Sequence, residues 1–302
     1  MLKQEIDKLL TNNDALFNKV HASIRKFNIL PNQKEHIGAA IKYQDLTELS
    51  EDFIEELVDS VVDWVYGSDK YRELVKTIVH KGKSESAAHS EILRKAKQKF
   101  RKSDDELLIQ GQLGELLLFH FIQRYFSAIP LLRKMKITTS SKHERFGADA
   151  IHYKIEGDKN IIILGEAKTY TSNYKFNEAM KNSITSILES YHNHRQELNL
   201  YIHEDFLDEQ MNDIAESYLN GTMQNVEVHL VSIVVYNETK KIQKTDEKSI
   251  HKQIEQIINS RFNSFDNTFI DLNANPILNR ITYIAFPVWG LELLAKKLQN
   301  ML

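Results

Sequence analysis

The chain has 302 residues, with 39 basic against 42 acidic side chains for a formal net charge of -3, and it is 42% hydrophobic and 27% charged with only 10 Gly and 4 Pro. That composition excludes fibrous and disordered classes and leaves ample chain to bury a core, as one large domain or two smaller ones. The absence of cysteine removes disulfides, Cys-ligated zinc, iron-sulfur clusters and thiol nucleophiles together and fits a reducing compartment.

The opening MLKQEIDKLL is charged from its third residue and lacks the pattern of a signal peptide, so a cytoplasmic protein is expected. No apolar run approaches the roughly 18 residues of a membrane span. Residues 1–50 are the hardest to read, with helical periodicity up to about Phe27 and mixed chemistry around Pro31 and Gly38. Beyond them Phe53, Leu57, Val61 and Trp64 recur at spacings of three and four, which predicts one apolar helix face ending at Gly67. A second helix is predicted from Tyr71 to Gly82. A third, from Glu85 to Lys102, sets Ile92, Ala96 and Phe100 against Arg94, Lys95, Lys97, Lys99, Arg101 and Lys102. The expectation is a mainly helical N-terminal region over residues 1–102, assigned by elimination to partner docking or regulation.

At Ser103 the string Ser-Asp-Asp-Glu offers an N-cap and first-turn acids for a long helix to about Phe126. Strands are predicted at Met135 to Thr139, Ala148 to Ile155 and Asn160 to Lys168, the last two joined by a turn at Glu156-Gly157-Asp158-Lys159. The unbroken apolar run Ile161 to Leu164 suits a strand covered on both faces, central in its sheet. A helix follows on Phe176, Ala179, Met180, Ser183, Ile184, Ile187, Leu188 and Tyr191. Then come a helix from Asp208 to Leu219, a strand from Val226 to Tyr236, a helix around Ile250 to Phe262, a strand from Ile281 to Phe286 and a closing helix on Leu291, Leu294 and Leu298. Residues 103–302 therefore read as one α/β domain.

The chemistry-bearing stretch is Gly147-Ala148-Asp149-Ala150 with Gly165-Glu166-Ala167-Lys168. Alternate residues of a strand share a face, so Glu166 and Lys168 point together and Ala167 points into the opposite layer. The hard oxygens of Asp149 and Glu166 suit magnesium, with manganese as the alternative ion, while Lys168 could orient or deprotonate a water or stabilise developing negative charge. Set against this is an exposed ion pair at a strand end. Glu115, among Leu108, Leu118, Phe119 and Ile122 at helical spacing, needs a compensating metal or base unless it snorkels to water. Gly111 and Gly114 would let its helix approach another element closely.

The order of helix with Glu115, strand, strand with Asp149, strand with Glu166-x-Lys168, helix and strand resembles the PD-(D/E)xK nuclease core. More closely, Gly111-x-x-Gly114-Glu115-Leu116, Gly147-Ala148-Asp149-Ala150 and Leu164-Gly165-Glu166-Ala167-Lys168 resemble the HamA family, the effector of Hachiman antiphage defence. The match is good over about residues 100–200. It departs from the motif in having Ala148, where proline gives the motif its name. The resemblance implies a restriction-endonuclease-like α/β fold, a mixed sheet flanked by helices. It also implies a magnesium-dependent DNA nuclease in which Glu115, Asp149 and Glu166 bind the metal and Lys168 is the catalytic lysine. A separate, HamB-like helicase subunit would associate with the chain in a hetero-complex. A non-catalytic DNA- or helicase-binding adaptor, and a ribonuclease using the same site, are the competing readings.

Two basic stretches are candidate DNA contacts. Arg133, Lys134, Lys136, Lys142 and Arg145 precede Asp149 and could hold phosphates, whereas a run such as Arg94 to Lys102 is more often a solvated face or a partner-binding surface than a DNA contact. Gly82-Lys83-Ser84 is no P-loop, because Thr77 stands where the first glycine is required. His192 and His194 spell HNH with Asn193 but do not share a helix face, and are expected as exposed histidines near a helix end. His120 stands five residues from Glu115, a spacing unsuited to a shared metal.

Overall fold

The computed structural model describes residues 6–100, 106–132, 147–171, 175–201 and 209–302. In chain order the first elements are α1 (Asp14–Asn18), β1 (Val20–Arg25), β2 (His36–Ile41), β3 (Tyr43–Gln44), β4 (Thr47–Glu48), α2 (Ser50–Asp59), α3 (Val61–Tyr66), α4 (Ser68–His80) and α5 (Glu85–Lys97). There follow α6 (Glu106–Phe126), β5 (Ile129–Leu132), β6 (Ala150–Glu156), β7 (Lys159–Tyr170), α7 (Phe176–Tyr201) and α8 (Glu209–Leu219). The chain continues through β8 (Val226–Asn237), α9 (Glu247–Asn263), β9 (Ile281–Val288) and α10 (Leu291–Met301).

Seven strands form one mixed sheet in the order β1-β2-β9-β8-β7-β6-β5. The ladders β2·β9, β9·β8 and β8·β7 are parallel, while β1·β2, β7·β6 and β6·β5 are antiparallel. Strand β7 is interior, as its apolar run requires: Ile161, Ile162, Ile163 and Leu164 are at most 2% exposed. Burying each such side chain contributes about 1.5–3 kcal/mol. Pleating sends Ile162 and Leu164 into a core with Phe176, Met180 and Ile184 of α7 and with Ile254 and Ile258 of α9. Ile161 and Ile163 pack on the other face with Leu116 and Phe121 of α6, Leu57 of α2 and Leu294 of α10. A small satellite core of Val75, Ile78, Ala88 and Ile92 lies between α4 and α5.

The N-terminal stretch departs from its helical reading. Residues up to Phe27 do not continue as helix; β1 and β2 form a hairpin, and β2 joins β9 through Ile37↔Ile284 and Gly38↔Ala285. The hairpin therefore shares its sheet with residues beyond 102. Strand β1 is an edge, with Ile24 51% exposed, so its alternation is blurred, and the ladder that recruits β2 comes from the far end of the chain. The predicted helix through Phe53 and Trp64 is divided at Ser60, whose hydroxyl donates to the Leu57 carbonyl at 2.7 Å. The strand expected at Met135 to Thr139 lies outside the described residues, as do Arg101 and Lys102. Strand β5 pairs with β6 from Ile129 to Leu132, and Pro130 is tolerated there because β5 is the edge of the sheet among the described residues.

Candidate active site

The site arises where two paired strands differ in length. The β6·β7 ladder begins at Ala150↔Gly165, yet β7 runs on to Tyr170, where β8 is its one ladder partner among the described residues. The Ala167 N–H on the vacated side would lack a partner, and the Asp149 carboxylate takes it: Oδ2 accepts that bond at 2.8 Å. Asp149 is thus held beside Glu166, the next position of the same register.

Glu166 and Lys168 share a face, as predicted, and it is the α7 face that also receives Ile162 and Leu164. Beside Glu166 in the ladder stands Ser232 of β8, which hydrogen-bonds Ser183 of α7. Lys168 Nζ donates to Glu166 Oε1 at 2.8 Å, with the two side chains 28% and 6% exposed. This is a largely buried pair rather than an exposed strand-end contact. Burial is the largest influence on Lys168 and works against its charge, but the attraction and hydrogen bond of Glu166, with help from Asp149, outweigh it and raise the pKa. Glu166 therefore favours the ammonium form of Lys168.

Helix α6 packs on the opposite face. Gly114 makes that approach possible, since a Cβ on it would collide with Thr169 Oγ1 and lie 3.3 Å from the Ala167 Cβ. Half-buried Glu115 follows directly in α6. Among the described residues no three His, Asp or Glu side chains are grouped to hold a metal ion. Asp149 and Glu166 come together with Lys168; Glu115 does not complete a triad with them. Two carboxylates still suit magnesium, which retains waters and takes phosphate oxygens for its remaining positions.

A residue absent from the sequence reading enters here. Buried Glu197 of α7 accepts the Ala148 N–H through Oε2 at 3.0 Å. Gly147 adopts φ +112° against that carboxylate, which fills the place of a Cβ. A signal for it existed: continuing the inward stripe of α7 past Ile187 and Tyr191 leads to His194 and Glu197.

Arg133, Lys134, Lys136, Lys142 and Arg145 lie outside the described residues. The histidine expectation needs correction. His192 is exposed, but His194 is buried within α7, well before its end, and its Nε2 pairs with the Tyr218 hydroxyl of α8 at 2.5 Å. The helix extends to Tyr201, so the His194 side is an interhelical face. His120 is also wholly buried, and burial lowers its pKa to about 3. The Gly82-Lys83-Ser84 string is a helix junction, where Ser84 caps α5 through the Ala87 N–H at 3.2 Å and Lys83 pairs with Glu91 at 2.6 Å.

Fold and site define a mixed α/β protein with a seven-stranded sheet between helices and a buried carboxylate–lysine cluster at the end of an interior strand. The chain belongs to the HamA family, which it matches over residues 14–302. It is thereby a Hachiman antiphage defence protein. No curated protein matches the chain. Among the described residues, no helix is long and apolar enough to cross a membrane.

Proposed function

We propose that this HamA protein is a magnesium-dependent deoxyribonuclease of the PD-(D/E)xK class, the effector of its defence system, working in the cytoplasm with a helicase partner. The observation that carries the reading is the convergence of Asp149, Glu166 and Lys168 where β7 outruns β6. The order α6, β5, β6, β7, α7, α8, β8 supports it, since apart from the added α8 it follows the helix, three strands, helix and strand expected of that nuclease core.

Asp149 and Glu166 would hold the ion, which when bound supplies Lewis-acid stabilisation of a phosphodiester and a more acidic water. Lys168, charged and pointing from the same face, would stabilise negative charge developing on the phosphate. Glu115 would serve from the α6 side, and Arg133, Lys134, Lys136, Lys142 and Arg145 would grip the DNA backbone ahead of the site.

The test is cleavage of plasmid and linear DNA with magnesium by the wild-type chain and Glu166→Ala, each alone and with the helicase and ATP. Loss of cleavage in the variant is expected; Glu166-independent cleavage, or none under any condition, overturns the reading. The competing reading is a non-catalytic DNA- or helicase-binding adaptor with a nuclease-like fold. That alternative requires metal-independent DNA binding and no cleavage.

A further inference from the structure

Among the described residues, 147–149 have no ladder partner, because the pairing of β6 begins at Ala150. Asp149 is oriented by its own carboxylate bond to Ala167, which a cation would compete for. A second restraint comes from the opposite direction. Glu197, 5% exposed on α7, accepts the Ala148 N–H at 3.0 Å, a charge-assisted bond of the stronger kind. Gly147 closes the contact, since its left-handed φ of +112° brings the backbone so near that any β-carbon would strike the Glu197 carboxylate. Helix α7 also packs over the Glu166 face, so Glu197 ties the aspartate segment to the helix that covers the rest of the site.

We infer that Glu197 is a positioning residue, whose carboxylate fixes the Gly147-Ala148 backbone and thereby sets Asp149 beside Glu166 and Lys168. The inference rests on the nuclease reading for its consequence, since a fixed Asp149 matters most where it must hold a cation. Partners that orient a metal ligand typically change metal affinity or activity about 10- to 100-fold when removed. A merely structural glutamate would change stability and leave affinity and turnover alone.

The test uses the full chain. Mn2+ affinity is measured by electron paramagnetic resonance, DNA cleavage with the helicase present is resolved into kcat and KM, and amide exchange is followed at Ala148. Glu197→Gln keeps an acceptor oxygen and is expected to stay within about threefold of wild type, whereas Glu197→Ala loses about tenfold or more in Mn2+ affinity and in kcat with KM little changed. Wild-type affinity and kcat in folded Glu197→Ala overturn the inference. Should that variant fail to fold, Gly147→Ala decides: its β-carbon displaces the same carboxylate, so wild-type metal affinity there also overturns it. If wild type and Asp149→Ala are alike in binding and cleavage, the nuclease reading has failed instead. Exchange at Ala148 then judges Glu197 alone, with faster exchange in Glu197→Ala supporting the positioning role and unchanged exchange refuting it.

Discussion

The two halves of β7 differ in almost everything but continuity. From Ile161 to Leu164 the strand has neighbours on both sides, is apolar on both faces and is closed to solvent. From Glu166 to Tyr170 it has lost β6, and its freed backbone and inward polar side chains are satisfied by carboxylates and a lysine. The first half makes the sheet, and the second half uses it as a rigid mount. A strand that outlasts its neighbour keeps its direction from the sheet while opening one edge to side chains, a way to hold charged groups at fixed distances in a low-dielectric setting.

The sharpest separation of the halves is a pair of substitutions. Leu164→Ala is expected to cost about 2–5 kcal/mol by cavity formation while leaving the metal dependence of any cleavage intact. Glu166→Ala is expected to abolish cleavage, and it lowers stability too, because Lys168 loses its closest counter-charge. Denaturant unfolding with parallel cleavage assays checks both. A Leu164→Ala protein that stays folded yet cannot cleave would break the division of labour.

The apolar layers around β7 and its polar half should also respond to opposite extremes of pH. Burial lowers His120 to about 3, and burial with help from Lys34 lowers His36 to about 4. Both rings lie in the apolar layers. Above 6.5 they are neutral in folded and unfolded chains alike; below it only the unfolded chain takes the protons. Stability therefore falls with acid from pH 6.5 toward those values, by up to about 1.4 kcal/mol per pH unit for each ring. Lys168 has the reverse sign. Its folded pKa lies above the ordinary 10.5, so its contribution is complete below that value and is lost as pH rises through the folded one. Unfolding free energies measured across the pH range should show a shallower acid limb in His120→Leu and a shallower alkaline limb in Lys168→Met.

The apolar half of β7 was legible in the sequence because it is a local pattern, four consecutive branched residues just after a turn. The rhythm of α7 and the face shared by Glu166 and Lys168 were legible for the same reason, since period alone decides them. What was not legible depends on contacts distant in the chain. The β1 and β2 hairpin is recruited by β9, and a half-exposed edge strand carries little alternation of its own. Neither the burial of the Glu166–Lys168 pair nor the Asp149 bond to Ala167 is encoded in spacing, because both follow from where β6 stops. His194 and Glu197 lie on the buried stripe of a helix whose apolar signal had already faded.

A smaller effect is expected at Gly114, where the helix and the polar half of β7 touch. Gly114→Ala places a methyl against Thr169 Oγ1 and the Ala167 Cβ, so α6 must shift. The expected cost is about 1–3 kcal/mol from overpacking, offset in part by the better helix propensity of alanine. Because Glu115 moves with the helix, cleavage should fall beyond what the lost stability accounts for if Glu115 serves the site. Cleavage measured well below the melting transition separates the two effects, and full activity there would detach Glu115 from the chemistry.

The smallest effect sharpens the contrast between this mount and the helical satellite. The Ser84 hydroxyl accepts the Ala87 N–H at 3.2 Å as the cap of α5, next to a Lys83 already engaged by Glu91. Ser84→Ala should cost about 1 kcal/mol, the usual loss of an N-cap, and should leave any ATP-dependent step untouched. A phosphate-binding loop needs a free lysine and a hydroxyl directed at a metal, whereas here one is paired and the other is spent on a helix end. ATPase and cleavage rates of the complex, compared between wild type and Ser84→Ala at matched folded fraction, are therefore expected to coincide. A selective loss of the ATP-dependent rate would mean that the satellite, and not only the far end of β7, carries chemistry.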